Sequence, residues 1–193
     1  MNVICKNVPR LDVKIFEFNT LTYYKKNLTE FDIDLELDGL MPSIQQEHTW
    51  DFKNNIKHTE KFDFPQLTGK VGLFIVEFVG NGVKARAVIR KGKLSLVQRE
   101  TVAGHLCYIL DYRNKICTGN TGAGVIFQNK LYEADKATGR IFVPYGLEQL
   151  EGKCILVNDD FAQLTHFSQN IESYALWANF FMNDQSAMLG KSA

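Results

Sequence analysis

Apolar and polar positions alternate with a period of two along much of the chain. The most regular stretch is 31–38, where four apolar side chains alternate with four carboxylates before Gly39. Such alternation is typical of an antiparallel strand with one face buried and one face in water. We therefore predict a half-buried strand whose carboxylates face solvent. A calcium loop is not favoured, because its glycine would have to fall at the sixth position and not the eighth.

Further apolar segments of strand length follow one another at short intervals. The candidate strands are 13–18, 73–79, 83–90, 94–97, 101–110, 125–127, 130–132, 140–145 and 154–157. The Gly-Asn-Gly sequence at 80–82 suits a tight turn and predicts a hairpin. From 161 onward the apolar spacing fits a helix and a strand about equally well. We favour a short helical or turn segment near 161–167, followed by a strand after 173.

This spacing of short strands predicts an all-β fold with two antiparallel β-sandwich domains. The chain has 193 residues, which two small domains fill well. The expected divisions are a first sandwich at 1–98 and a second at 99–175, joined near Arg99 with almost no linker. Residues 176–193 are expected to form a C-terminal strand or tail that leads out of the second domain.

Composition and charge exclude several classes of protein. Hydrophobic residues make up 45% of the chain, and 22 basic side chains balance 22 acidic ones. A dedicated nucleic-acid binder would need a basic surplus, and a disordered chain would need low hydrophobicity with high net charge. No apolar run approaches the length of a membrane span, and the first residues lack the apolar core of a signal peptide.

One cluster of basic residues stands out near the predicted hairpin. It comprises Lys84, Arg86, Arg90, Lys91 and Lys93. Such a cluster could dock an acidic protein or an anionic glycan. The simpler interpretation is a solvated strand whose charges discourage edge-to-edge pairing, and the sequence favours it.

Candidate catalytic and metal-binding groups are sparse. His105 and Cys107 would share one face of a strand, as a base and a nucleophile might. Two residues of strand rise separate them by about 7 Å, which is too far for a direct hydrogen bond. None of the common catalytic or nucleotide-binding motifs occurs. We therefore expect no enzymatic activity, no cofactor and no metal site.

The four cysteines and one sequon bear on the compartment of the protein. No Cys-x-x-Cys pair occurs, so a zinc site is not expected. Buried free thiols are favoured. A disulfide between Cys107 and either Cys117 or Cys154 remains the alternative. Asn27 begins an Asn-Leu-Thr sequon, which would accept a glycan if the protein were secreted.

Two stretches carry a resemblance to a known family. Residues 64–78 read FPQLTGKVGLFIVEF, and residues 93–144 contain DYRNK at 111–115 and DKATGRIFVP at 135–144. Asp, Asn and Gly at these positions make tight turns between apolar strands. Over residues 60–160 the chain resembles the macroglobulin-type β-sandwich domains of α2-macroglobulin-like proteins, and also transthyretin-like modules. The thioester signature of trapping macroglobulins is absent, so the resemblance implies no covalent capture.

The resemblance implies a non-enzymatic segment of a larger multidomain protein. Its role would be a structural scaffold or a protein-interaction surface, with neighbouring domains or another protein as partners. It would be extracellular or at the cell surface if cut from a secreted protein, and cytoplasmic otherwise. The alternative is a carbohydrate-binding or adhesion module in which exposed Tyr23, Tyr24 and Trp50 stack on sugars.

Overall fold

The computed structural model describes residues 1–51, 57–146 and 150–169. The described residues form one α-helix, two short 3-10 turns and thirteen β-strands. The strands and helix are β1 (Asn2–Lys6), β2 (Arg10–Phe18), α1 (Thr20–Asn27), β3 (Ile44–Thr49), β4 (Lys57–Lys61), β5 (Gly72–Gly80), β6 (Val83–Lys91), β7 (Ser95–Thr101), β8 (Gly104–Leu110), β9 (Gly124–Phe127), β10 (Lys130–Glu133), β11 (Ile141–Pro144), β12 (Leu150–Asn158) and β13 (Phe161–Gln169).

The first sandwich packs a two-stranded sheet, β1-β4, against a four-stranded sheet of order β3-β2-β5-β6. All pairings are antiparallel. The apolar side chains on one face of β2 and β5 meet Cys5 of β1 in a single buried core. The central members of that core from β2 and β5 are Leu11, Val13, Ile15, Phe74, Val76 and Phe78.

The second sandwich faces a three-stranded sheet, β11-β8-β7, with a four-stranded sheet of order β10-β9-β12-β13. Its core lies between them. Cys107 and Ile109 of β8 meet Val125, Leu156 and Phe167 of the opposite sheet, all of them buried. The chain passes from the first sandwich to the second through only three residues, 92–94, between β6 and β7.

Two hairpin turns show how local sequence sets the pairing. Asn81 and Gly82 both have positive φ, at 48° and 77°, and join β5 to β6. Gln128 and Asn129, at 50° and 62°, join β9 to β10 in the same way. Turns with positive φ at both central residues match the right-handed twist of the flanking strands. The hairpin predicted at 80–82 is therefore confirmed.

The predicted strand at 31–38 is wrong. Among the described residues this segment has no strand partner, and it lies as an irregular stretch over the outer face of the first sandwich's four-stranded sheet, where Leu35 and Leu37 pack against Phe16 and Ile75. Its carboxylates remain exposed, and so does Ile33. The alternation thus indicates in part which side chains are buried. It does not give a strand, because the segment crosses a sheet face and finds no edge with which to pair.

The helical or turn segment predicted near 161–167 is also wrong. Phe161–Gln169 is strand β13 and pairs with β12 over nine residues. Phe161 and Phe167 face the sandwich core, whereas Ala162 and Leu164 belong to a buried cluster on the opposite face. A strand buried on both faces loses its simple alternation, which is why its spacing resembles that of a helix.

The predicted domain limits stay predictions. Strand β7 runs through residue 98, so a division after residue 98 would fall inside a paired strand. The expected limit at 175, the strand after 173 and the C-terminal tail at 176–193 lie outside the described residues. Within the described ranges, no helix has the length and hydrophobicity needed to cross a bilayer.

Candidate functional site

Helix α1 is the element that links the two sandwiches. It begins directly after β2, where the Asn19 side chain accepts a hydrogen bond from the N–H of Thr22 at 2.8 Å and so caps the first turn. It ends at Leu28, whose left-handed conformation lets its N–H donate to the Tyr24 carbonyl at 2.9 Å. These two caps fix the length of a helix that is too short to be stable alone.

The buried side of α1 packs on the outer face of the second sandwich's four-stranded sheet. Tyr24 is 1% exposed and belongs to one apolar cluster with five side chains of β9, β12 and β13. These five are Ile126, Ile155, Val157, Ala162 and Leu164. Strands β12 and β13 are therefore covered twice, once by the sandwich core and once by a helix of the other sandwich.

Hydrogen bonds reinforce this contact between the sandwiches. The Thr20 hydroxyl accepts from the Ala162 N–H at 2.7 Å and donates to the Asp160 carbonyl at 3.4 Å. At the connection between the sandwiches, the Leu94 N–H donates to the Gln163 side-chain oxygen at 2.8 Å. The backbone N–H groups of Ala162 and Leu94 and the Asp160 carbonyl thus have hydrogen-bond partners at this contact.

The acidic segment at 30–38 and the basic strand β6 lie side by side. Three basic side chains of β6 reach successive points of the segment, in antiparallel order. These contacts are Lys84–Asp38 at 3.9 Å, Arg86 to the Leu35 carbonyl at 2.8 Å, and Arg90–Glu30 at 2.7 Å. The two charged motifs seen in the sequence therefore face each other, and their charges hold the segment over the sheet.

Arg86 makes the most buried of these charged contacts. Its Nε lies 2.9 Å from the Glu77 carboxylate, and the Glu77 side chain is only 5% exposed. Arg90 also reaches the Tyr24 hydroxyl at 3.5 Å, which connects β6 to the helix. Burial raises the pKa of Tyr24, so its hydroxyl stays protonated as a hydrogen-bond donor.

Most of the predicted basic cluster is thus engaged within the chain. Lys91 donates to the Leu67 carbonyl, as a fourth internal contact beside those of Lys84, Arg86 and Arg90. Lys93 is exposed and lines a cleft at the connection between the sandwiches. Four of the five residues therefore already contact groups of this chain. Docking of an acidic partner by the cluster stays a prediction.

His105 and Cys107 do not form a nucleophile and base. His105 is fully buried, and its Nδ1 lies 2.9 Å from the Gln98 amide nitrogen, which also donates to the Ser168 carbonyl. Burial lowers the pKa of His105 and raises that of Cys107 to about 12. A reactive thiolate needs the opposite shifts. Among the described residues, no three potential ligand side chains cluster as a metal site would require.

Of the three aromatic residues expected on the surface, Tyr24 is buried, and that part of the expectation is wrong, whereas Tyr23 and Trp50 are partly exposed. Tyr24 is buried at the junction, and Tyr23 packs against Phe31 at 4.5 Å between ring centroids. Trp50 packs against the core of the first sandwich. Each ring is thus used for packing inside the chain. Asn27 is exposed at the end of α1, and its glycosylation stays a prediction.

All four cysteines are buried and free. Cys107 and Cys154 come from opposite sheets of the second sandwich and share its core. Burial raises the pKa of Cys154 as well, to about 12. The sequence-based prediction of buried free thiols is confirmed, and the alternative disulfides are absent from the structure.

The helix that makes this junction is not among the elements predicted from the sequence. Its signals were present, since Leu21, Tyr24 and Leu28 are spaced by three and four residues behind the capping Asn19. The helix is only eight residues long. A pattern this short is hard to separate from a loop unless its packing partner is known.

Comparison with known proteins agrees with an immunoglobulin-like sandwich in the first half of the chain. Residues 11–92 match the family model described as AbpF first immunoglobulin-like domain, a range that runs from β2 to the end of β6. The chain is 33% identical over 196 residues to Actin-binding protein F of Dictyostelium discoideum. That alignment covers 97% of this chain, and the chain spans 8% of that relative's length.

One solved structure aligns with most of the chain. Native alpha-2-macroglobulin from Escherichia coli, spanning domains NIE-MG1, aligns with 85% of this chain and 86% of its own at 10% identity and a TM-score of 0.43. This structure comes from the same group of proteins as the macroglobulin-type resemblance drawn from the sequence. The predicted all-β class with antiparallel sandwiches is confirmed by the sheets themselves and by the immunoglobulin-like match of residues 11–92.

Proposed function

We propose that this chain is a non-enzymatic spacer within a longer protein, in which two β-sandwiches are held at one fixed angle. The observation that carries the proposal is the burial of Tyr24, on a helix of the first sandwich, against the outer sheet face of the second. Domains in one chain are expected to move relative to each other unless their interface is apolar and extensive. Helix α1 supplies an apolar contact of this kind.

Three features support a fixed angle. The connection between β6 and β7 is only three residues long, which limits rotation. The bond from Thr20 to Ala162 ties the sandwiches directly, and the bond from Leu94 to Gln163 fixes the end of the connection on the second sandwich. Because Tyr24 also contacts Arg90 of β6, the helix is held to its own sandwich as well as to the other.

The partners of such a spacer would be other segments of the same protein. The name of the relative states actin binding, and this chain corresponds to 8% of that protein. We infer that this spacer serves in a protein of a similar kind. A reducing, cytoplasmic compartment is favoured over an extracellular one, because four buried free thiols fit that setting.

The fixed angle is tested by measuring one distance across the junction. Val83 and Val102 are 69% and 79% exposed, one on each sandwich, and cysteines placed there accept spin labels while the native thiols stay buried. We expect a single narrow distance distribution by double electron–electron resonance. Tyr24→Ala should broaden it, whereas Lys26→Ala, on the exposed side of the same helix, should leave it unchanged.

A broad distribution in the otherwise unchanged chain would disprove the spacer proposal. Cosedimentation with filamentous actin supplies a separate readout. A pure spacer stays in the supernatant with an albumin control, so pelleting with actin would assign a direct actin contact to this segment instead.

A further inference from the structure

A cleft of about 510 Å³ opens beside the C-terminal end of α1. Its floor is formed by Ile126 and Ile155 of the second sandwich, and Leu28, which is 42% exposed, stands at its wall. The two isoleucines also belong to the cluster buried under α1. The cleft is therefore a direct continuation of the junction between the sandwiches.

The sheet face beside the helix is largely buried, with one exposed apolar side chain on it. The helix packs on β12 and β13, at one side of the four-stranded sheet. Ile126 of β9 pairs in register with Ile155 on one side and with Leu131 of β10 on the other. Ile155 and Ile126 are only 1% and 8% exposed, whereas Leu131 is 49% exposed. The exposed apolar surface in this region is therefore that of Leu28 and Leu131, and the isoleucines are reached only through the cleft.

The rim of the cleft carries a surplus of positive charge. Lys25, in the last turn of α1, and Lys153 of β12 both line it and are exposed. Lys153 donates one hydrogen bond to the Leu28 carbonyl, at 3.1 Å, and keeps two further hydrogens for another acceptor. Glu151 is the single acid among the lining residues, and it lies 3.6 Å from His166, outside the cleft.

We propose that this cleft docks a short segment of a partner protein that carries an apolar side chain flanked by carboxylates. The apolar side chain would fill the space between Leu28 and the two isoleucines, where it would be removed from water itself and would cover the exposed part of Leu28. The carboxylates would pair with Lys25 and Lys153. Two cations on one rim favour an acidic segment and repel a basic one.

The test is a selection on the complete chain with a phage-displayed library of random twelve-residue peptides. We expect enrichment of peptides that combine Asp or Glu with Leu, Ile or an aromatic residue. A synthetic copy of an enriched peptide should shift the methyl signals of Ile126 and Ile155 in NMR spectra. Its affinity should fall as salt rises, since exposed charges are screened.

A matched pair of variants decides whether the charged rim of the cleft binds the peptide. Lys25→Glu should weaken the peptide about tenfold, because reversal replaces an attraction with a repulsion. Lys26→Glu carries the same charge change one residue further along the helix, outside the cleft lining, and should bind normally. The proposal is overturned if nothing is enriched, if basic peptides are enriched, or if Lys25→Glu binds as well as Lys26→Glu.

Discussion

The side-chain hydroxyl of Thr20 and the backbone N–H of Ala162 meet at 2.7 Å, although 142 positions separate them in the chain. Thr20 is the first residue of α1 and is 3% exposed, and Ala162 is the second residue of β13, the strand that runs under the helix. One buried hydroxyl thus connects the two sandwiches at the entry to the helix.

Thr20→Val should destabilise this junction. Valine has nearly the same shape as threonine but cannot accept a hydrogen bond, so the Ala162 N–H would be buried without a partner. We expect the free energy of unfolding in urea to fall by about 1–3 kcal/mol. Thr20→Ser keeps the hydroxyl and should retain most of the stability. Equal losses in both variants would show that the methyl group matters and the hydrogen bond does not.

Arg86→Met should cost more than the loss of an exposed ion pair. It would leave the Glu77 carboxylate, 5% exposed, without its compensating charge. Such losses amount to about 3–5 kcal/mol, measured as the free energy of unfolding. The double variant Glu77→Met with Arg86→Met removes both charges and should recover much of that loss.

A surface pair provides the control for this experiment. Lys61 and Asp63 lie 3.6 Å apart with both side chains more than 70% exposed. Lys61→Met should change the stability by less than about 1 kcal/mol. An equally small effect of Arg86→Met would show that the buried Glu77 carboxylate does not depend on Arg86.

His105 should make the second sandwich less stable in mild acid. Burial lowers the pKa of His105 in the folded state, and the nearby Glu100 opposes this only in part. Gln98 bonds one ring nitrogen, while Tyr145 and Phe167 pack edge-on against the ring. The folded protein therefore holds this histidine neutral.

The sign of the pH effect follows from this lowered pKa. Above pH ~6.5 the His105 ring is neutral in both the folded and the unfolded protein, so it adds no pH dependence to the free energy of unfolding. Below pH ~6.5 the unfolded chain takes up a proton that the folded chain resists, so the free energy of unfolding falls until the folded pKa is reached. His105→Gln should show a smaller loss of stability between pH 7.5 and 5. Parallel slopes in the two proteins would contradict this assignment.

The cysteines should be unreactive in the folded protein. All four thiols are buried, and the pKa values of Cys107 and Cys154 are raised to about 12, so almost no thiolate forms at pH 8. We expect four thiols to react with Ellman's reagent in denaturant and very slow reaction without it. A count below four after unfolding, without reducing agent, would reveal a disulfide and favour an oxidising compartment.

Local patterns predicted the core strands well. Continuous apolar runs at 73–79 and 154–157 correspond to β5 and β12, which are central strands covered on both sides. The Asn81-Gly82 turn was readable because few residue pairs accept positive φ twice in succession. Polar strands such as β3 and β4 were missed, because only their position at a sheet edge explains them.

The environment of the candidate site residues was predicted less accurately than the strands, because it depends on contacts between residues distant in sequence. The acidic stretch at 30–38 and the basic strand β6 were both visible as charged motifs, yet nothing local shows that they face each other. Tyr24 of α1 was expected to be exposed. It is buried because residues of the second sandwich, distant in sequence, cover it.

The sequence by itself determined the all-β class, the central strands and the buried state of the thiols. These properties follow from hydrophobic periodicity and turn residues, which act over a few positions. The tertiary structure decided that α1 joins two sandwiches, that segment 31–38 lies across a sheet face, and that β13 is a strand. Each of these depends on which apolar face needs cover, and that is set only when segments distant in sequence meet, by as many as 142 positions for Thr20 and Ala162.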